Sequence, residues 1–377
     1  MAELFADLLG QPRAVALLEA ALERRRIAPA YLFAGADGVG RRLAALRFLE
    51  GLVAGPEAWR SGLPALRRRL AQGNHPDLLW VEPTYQHQGR LVLASEALAE
   101  GVNRRSAPQI RLEQIRDLTR FLARHPVEAP GGLVVLEGAE AMAEGAANAL
   151  LKTLEEPGTG LLILICAAPD QLLSTIRSRC QQIPFVRLSG QLVAEVLASL
   201  PADVPPQAVE APALASKASG KKAAARKGAG KSLTSEAMVS EEALAVTAAE
   251  SEPAAELPPR PVPVDPPELL ELAAGSPGAL LEHRRQWREL PEGLAERLLA
   301  LDREPLTALG LARDLSEALD GEQQLWLLAW WQLALWRRRG PGVDLQRLER
   351  LRSQLRAYVQ PRLAWEVALL EMAGIGA

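Results

Sequence analysis

The chain of 377 residues is poor in cysteine, in lysine and in long apolar runs, and neither sign of charge is in large excess. Two cysteines, Cys166 and Cys180, cannot build a disulfide scaffold or a four-cysteine zinc site, and a reducing cytoplasm suits them best. The 43 basic and 46 acidic side chains leave a formal net charge of -3, which excludes attachment to nucleic acid by bulk charge alone. The longest apolar stretch, 325–336, is broken by Gln332 and reaches about half of the roughly 20 residues that a membrane span needs, so it reads as a core helix. Near the start, Glu3 and Asp7 precede the basic cluster Arg24, Arg25 and Arg26, the reverse of a secretory signal. Five of the six lysines fall between 217 and 231, leaving Lys152 alone elsewhere.

What is present suggests two or three domains with ample material for a core. Through residue 188, short apolar runs alternate with amphipathic patterns, the arrangement of a parallel sheet covered by helices. Strands are expected at 30–34, 78–82, 133–137 and 161–166. A helix opens at Pro12 with Val15, Leu18 and Leu22 on one face and ends in cations that suit its dipole. Leu112, Ile115, Leu118 and Leu122 mark a second helix, and Ala147, Leu150, Leu151 and Leu154 a third.

Residues 201–265 change character, with 17 Ala, 9 Pro and no aromatic residue, too little large apolar surface to offset ordering entropy. They read as a disordered linker or insertion. A basic block (Lys217, Lys221, Lys222, Arg226, Lys227, Lys231) precedes an acidic one (Glu236, Glu241, Glu242, Glu250, Glu252, Glu256), read as a solvated polyampholyte ahead of a tether to DNA. From 266 onward the pattern is helical. Trp326 and Trp330 share a face there, as packed core or subunit interface.

The chemistry concentrates in Gly35-Ala36-Asp37-Gly38-Val39-Gly40-Arg41-Arg42, which follows the first strand and opens a helix with Leu43, Leu46 and Leu49 in phase. That is the setting of a phosphate-binding loop, in which glycines aim backbone N–H groups at phosphate, a lysine neutralises charge and a hydroxyl ligates magnesium. Gly35, Gly38 and Gly40 are kept, but Arg41 stands where lysine is expected and Arg42 where the hydroxyl is expected, and arginine cannot ligate a cation. The third strand ends in Glu137-Gly138, without a second acid to polarise water. The fourth is followed by Ala167-Ala168, where a polar sensor of the γ-phosphate would stand. The loop therefore reads as a vestigial turn rather than a hydrolysing site. In Thr175-Ile176-Arg177-Ser178-Arg179-Cys180, an arginine could enter a neighbouring subunit's nucleotide site, or form only a surface salt bridge.

These residues, with Ala30-Tyr31-Leu32-Phe33, His75-Pro76-Asp77, Gln114-Ile115-Arg116 and the block Asn148-Ala149-Leu150-Leu151-Lys152-Thr153-Leu154-Glu155-Glu156-Pro157, resemble the bacterial DNA polymerase III delta-prime subunits of sliding-clamp loaders, within the AAA+ superfamily. The resemblance implies an α/β RecA-like AAA+ core with a parallel sheet at 1–188. It implies a small helical lid at 189–281, interrupted by the insertion 201–265, and an all-α collar domain for oligomerisation at 282–377. It implies a cytoplasmic, non-hydrolysing subunit of the DNA polymerase III holoenzyme. Such a subunit scaffolds a pentamer with tau/gamma ATPase subunits and delta, and reaches the sliding clamp and primed DNA through that complex.

Carried onto this chain, Arg179 is the trans-acting arginine finger, and Gly35, Gly38, Gly40 and Arg41 are the degenerate cradle. Lys152 and Thr153, on a helix that faces the central chamber in relatives, are candidate DNA contacts, with a solvated helix residue as the other reading of Lys152. ATP is expected in the neighbouring subunits and not in this one. Between Arg42 and Asp77 no cysteine occurs, so no zinc is expected, and the lid signature Gly275-Ser276-Pro277-Gly278 lacks its usual arginine. An ATP-hydrolysing tau/gamma-like subunit and a DNA-binding accessory protein acting through the lysine block are the alternatives.

Overall fold

The computed structural model describes residues 4–59, 63–97, 99–102, 107–156, 158–200, 265–340, 345–357 and 360–374. The expected linker at 201–265, with both of its charge blocks, lies outside them except for Asp265, which pairs with Arg284, and Pro157 lies outside them as well.

The first half alternates as its apolar runs require: α1 (Pro12–Glu23), β1 (Ala30–Ala34), α2 (Arg41–Ala54), α3 (Pro64–Ala71), β2 (Leu78–Val81), β3 (Thr84–His87), β4 (Arg90–Leu93), α4 (Leu112–Leu122), β5 (Leu133–Leu136), α5 (Glu144–Glu155), β6 (Leu161–Cys166), α6 (Ser174–Arg177), β7 (Gln181–Pro184) and α7 (Gly190–Ser199). Five strands form one parallel sheet in the order β2-β5-β6-β1-β7. Ala30 lies opposite Leu162 and Ala34 opposite Cys166, so β1 and β6 run in step to the edge from which the glycine loop leaves.

Alternation along each strand sends side chains to two cores. Tyr31, Phe33, Val135, Ile163 and Ile165 join Leu18, Ala44, Phe48 and Leu49 of α1 and α2 on one face. On the other, Leu32, Val134, Leu136, Leu162 and Leu164 meet Ile115, Leu118 and Leu122 of α4 and Leu150 and Leu154 of α5. Each such side chain contributes about 2 kcal/mol by leaving water. The parallel α/β core read from the sequence is therefore present, with helices on both faces.

Three features differ from the sequence reading. A hairpin, β3 with β4, follows β2 and was not expected; it turns on Gln88 and Gly89, both at positive φ, the backbone that a two-residue hairpin loop needs. The edge strand β7 reads Gln-Gln-Ile-Pro, too polar to be recognised from periodicity. In α2 the expected face of Leu43, Leu46 and Leu49 is buried only at Leu49, with Leu43 and Leu46 half-buried, and it is not all that the helix hides. Arg41, Arg42, Arg47 and Glu50 are buried as well, Glu50 at 1% exposure between Arg47 and Arg67.

The second half is helical: α8 (Pro267–Ala273), α9 (Pro277–Glu289), α10 (Leu294–Leu299), α11 (Pro305–Ala318), α12 (Gly321–Arg339), α13 (Leu345–Arg356) and α14 (Pro361–Met372). Helix α9 runs unbroken through residue 281, the end expected for the lid. Asp320 and Gln323 cap α12 reciprocally, and of the tryptophans it carries Trp330 and Trp331 are buried, Trp326 is half-buried and Trp336 is exposed. Trp330 stacks on Trp287 of α9 at 5.1 Å between ring centres, Trp326 donates to His283 at 3.1 Å, and Trp365 of α14 donates to buried Gln324 at 3.0 Å. No helix among the described residues is long and apolar enough to cross a membrane.

Candidate functional site

The glycine loop leaves β1, which lies between β6 and the edge strand β7, and reaches α2 within six residues, so its shape is fixed from both ends. Gly38 (φ +71°) and Gly40 (φ +99°, immediately before α2) occupy left-handed backbone that side-chain-bearing residues resist. Gln11, ahead of α1 and 2% exposed, donates to the Val39 carbonyl at 3.2 Å and exchanges two hydrogen bonds with the backbone of Val186 at 2.7 and 2.9 Å. This glutamine pins the loop to the exit of β7. Its role is not legible in the local sequence, because its partners lie 28 and 175 residues away.

Within this frame the two arginines are committed to acids. Arg41 pairs with Asp37 one turn back, while its Nε and Nη1 are buried without partners. Arg42 pairs with Glu137, its guanidinium lies 4.1 Å over the Trp80 ring, and Trp80 Nε1 donates to the same carboxylate at 2.7 Å. Glu137 thus faces a guanidinium and an indole N–H where a metal's acidic ligand would be sought. The space left is a cavity of about 130 Å³ lined by Asp37, Gly38, Arg41, Arg42, Glu137 and Glu140, below the roughly 300 Å³ at which small-molecule pockets begin. At the sensor position Ala167 offers only its N–H, which Glu140 accepts at 3.0 Å. Burial, reinforced by Glu140, pushes the Cys166 thiol up to about 12. Trp80 and Glu140 escaped the sequence reading; nothing in their local pattern sets them apart from packing and surface residues.

The Gly275-Ser276-Pro277-Gly278 signature sits on the loop itself. Gly278 N–H donates to the Gly38 carbonyl at 3.0 Å, and Ser276 Oγ donates to the Asp37 carbonyl at 2.5 Å while accepting from Ala279 as the cap of α9. A side chain at Gly38 would begin 2.6 Å from Ser276 Oγ and 2.7 Å from Gly278 Cα.

At the far end of the core, Arg179 follows α6 and stays partly exposed. It donates to the Thr175 carbonyl at 3.0 Å and to Glu155 at 2.8 Å, while Arg177 pairs with Asp170 at 2.8 Å. On α5, Lys152 is exposed. Thr153 is not: it is 6% exposed and its hydroxyl lies 2.9 Å from that of Thr119. That corrects its expected role as a DNA contact, because the helical spacing turns it toward α4 and away from solvent.

Two family profiles match the chain. One described as DNA polymerase III, delta subunit, covers residues 10–189, and one described as the C-terminal domain of cyanobacterial DNA polymerase III delta prime covers 259–372. The delta-prime subunit of Bacillus subtilis (strain 168) is 34% identical over 191 residues, 50% of this chain and 51% of that one. The delta-prime subunit of Pseudomonas aeruginosa is 34% identical over 187 residues, 48% and 51% of the two chains. The chain is thus similar to DNA polymerase III delta and delta-prime subunits in both of its halves. It spans about half the length of these curated delta-prime relatives. The tau/gamma subunit of Haemophilus influenzae is 29% identical over 52% of this chain and 26% of its own. A solved gamma subunit-related protein from Thermotoga maritima aligns over 96% of this chain and 99% of its own, with a TM-score of 0.47 and 15% identity.

Proposed function

We propose that this chain is a non-hydrolysing delta-prime subunit of a cytoplasmic clamp loader, one that scaffolds the assembly and lends Arg179 to a neighbouring ATPase subunit. The observation that carries this reading is the knot of Arg42, Glu137 and Trp80. The residues do not fit a magnesium nucleotide. Arg42 has no lone pair for a cation, Glu137 is already engaged by two donors, and the lid backbone rests on the loop. Arg179, by contrast, is partly exposed and keeps free N–H groups, which suits a guanidinium that stabilises charge on a phosphoryl group bound elsewhere. Tau/gamma ATPase subunits and delta are the partners in this reading, with the sliding clamp and primed DNA reached through the complex. Lys152, exposed on α5, is the candidate contact with DNA from the core.

The test is reconstitution of the full chain with tau/gamma and delta subunits. Arg179→Ala should leave assembly intact, as weighed by native mass spectrometry, and lower DNA-stimulated ATP turnover by about 10³-fold. Unchanged turnover would sink the finger role. The isolated wild-type chain should not turn over magnesium ATP; if it does, the hydrolysing tau/gamma-like alternative replaces this reading.

A further inference from the structure

Glu155 and Arg179 come from the two sequence blocks that carry the family likeness, the last turn of α5 and the turn after α6, and they meet at 2.8 Å. Arg179 is held from two directions, by this carboxylate and by the Thr175 carbonyl at 3.0 Å. A guanidinium has five N–H donors, so the two bonds leave three for a ligand. The side chains are 37% and 52% exposed, and a solvated pair of this kind contributes little to folding. Its effect lies in orientation. A free arginine spreads over many rotamers, and whatever freedom it loses on reaching a phosphoryl group counts against transition-state stabilisation. Glu155 can restrict that spread because α5 is itself fixed, with Leu150 and Leu154 in the core and Thr153 bonded to Thr119.

We infer that Glu155 is a positioning residue for Arg179, aiming its free N–H groups at the charge that builds up on the phosphoryl group of ATP bound in the neighbouring subunit. This rests on the reading of Arg179 as a trans-acting finger, and the test separates the two. ATP turnover is measured against ATP concentration in the DNA-stimulated assembly carrying wild-type chain, Glu155→Gln, Arg179→Ala or both substitutions. Glu155→Gln should lower kcat about tenfold with the KM for ATP within about twofold of wild type. The double variant should be no slower than Arg179→Ala alone. Wild-type turnover by Glu155→Gln beside a slow Arg179→Ala overturns the positioning role and leaves the finger standing. Wild-type turnover by Arg179→Ala removes the finger and this inference together. A further loss in the double variant, or failure of Glu155→Gln to enter the assembly, makes Glu155 a structural residue and overturns the inference.

Discussion

At Asp77 one carboxylate accepts from three successive amides, Val127 at 2.8 Å, Glu128 at 2.7 Å and Ala129 at 2.8 Å. Burial alone would raise its pKa, but the three donors and neighbouring His75 hold it below the usual carboxylate range. Replacing Asp77 by Ala strands those donors and should cost about 3 kcal/mol in urea unfolding; a loss under about 1 kcal/mol would mean that water satisfies them instead. His75-Pro76-Asp77 was visible in the sequence as a family marker, yet its role was not, because the amides lie 50 to 52 residues further on. The cradle divides the same way. The missing lysine, hydroxyl and second acid could be read from residue types, whereas the engagement of Arg42 by Glu137 and Trp80 depends on strands that only the folded sheet brings side by side.

Among the elements, β1 and β6 were legible to the residue because strands buried on both faces are apolar throughout. Helix α2 was not. It opposes the sheet on one side and carries an ionic network on another, buried Arg47 and Glu50 with exposed Asp7, so an apolar stripe describes only part of what it hides. The docking of α9 on the glycine loop makes Gly38 a joint between elements. Gly38→Ala meets Ser276 and the Gly278 backbone and must also hold φ at +71°, so it should destabilise the fold by about 2 kcal/mol or more. Thermal unfolding beside a Gly145→Ala control, where a new methyl meets nothing within 4 Å, measures the difference. Equal melting temperatures would show that the start of α9 yields.

Across the whole molecule, two histidines, His75 buried and His283 half-buried, join distant segments. His75 lies between the Asp77 loop and Glu128, with Arg69 nearby. His283 lies between Trp326 and the backbone of Leu272, beside Glu282. Burial lowers both below the ordinary 6.5. The unfolded chain therefore takes up protons that the folded one refuses as pH drops through 6.5. Stability is fully present above that value and declines below it, by up to about 1.4 kcal/mol per pH unit for each histidine. Half-buried Glu82, whose pKa burial raises, acts in the opposite sense, so the comparison is made with His283→Gln at each pH. The variant should lose less melting temperature than wild type between pH 7 and pH 5.5, and parallel curves would exonerate His283. The exposed side chain of Lys152 has a practical consequence of its own. It is the only lysine among the described residues. An acylating dye or amine cross-linker applied to the assembled complex would mark α5 one turn from Glu155 and, peptide terminus aside, no other point on the described surface, so the residues it bridges to would map what faces that helix.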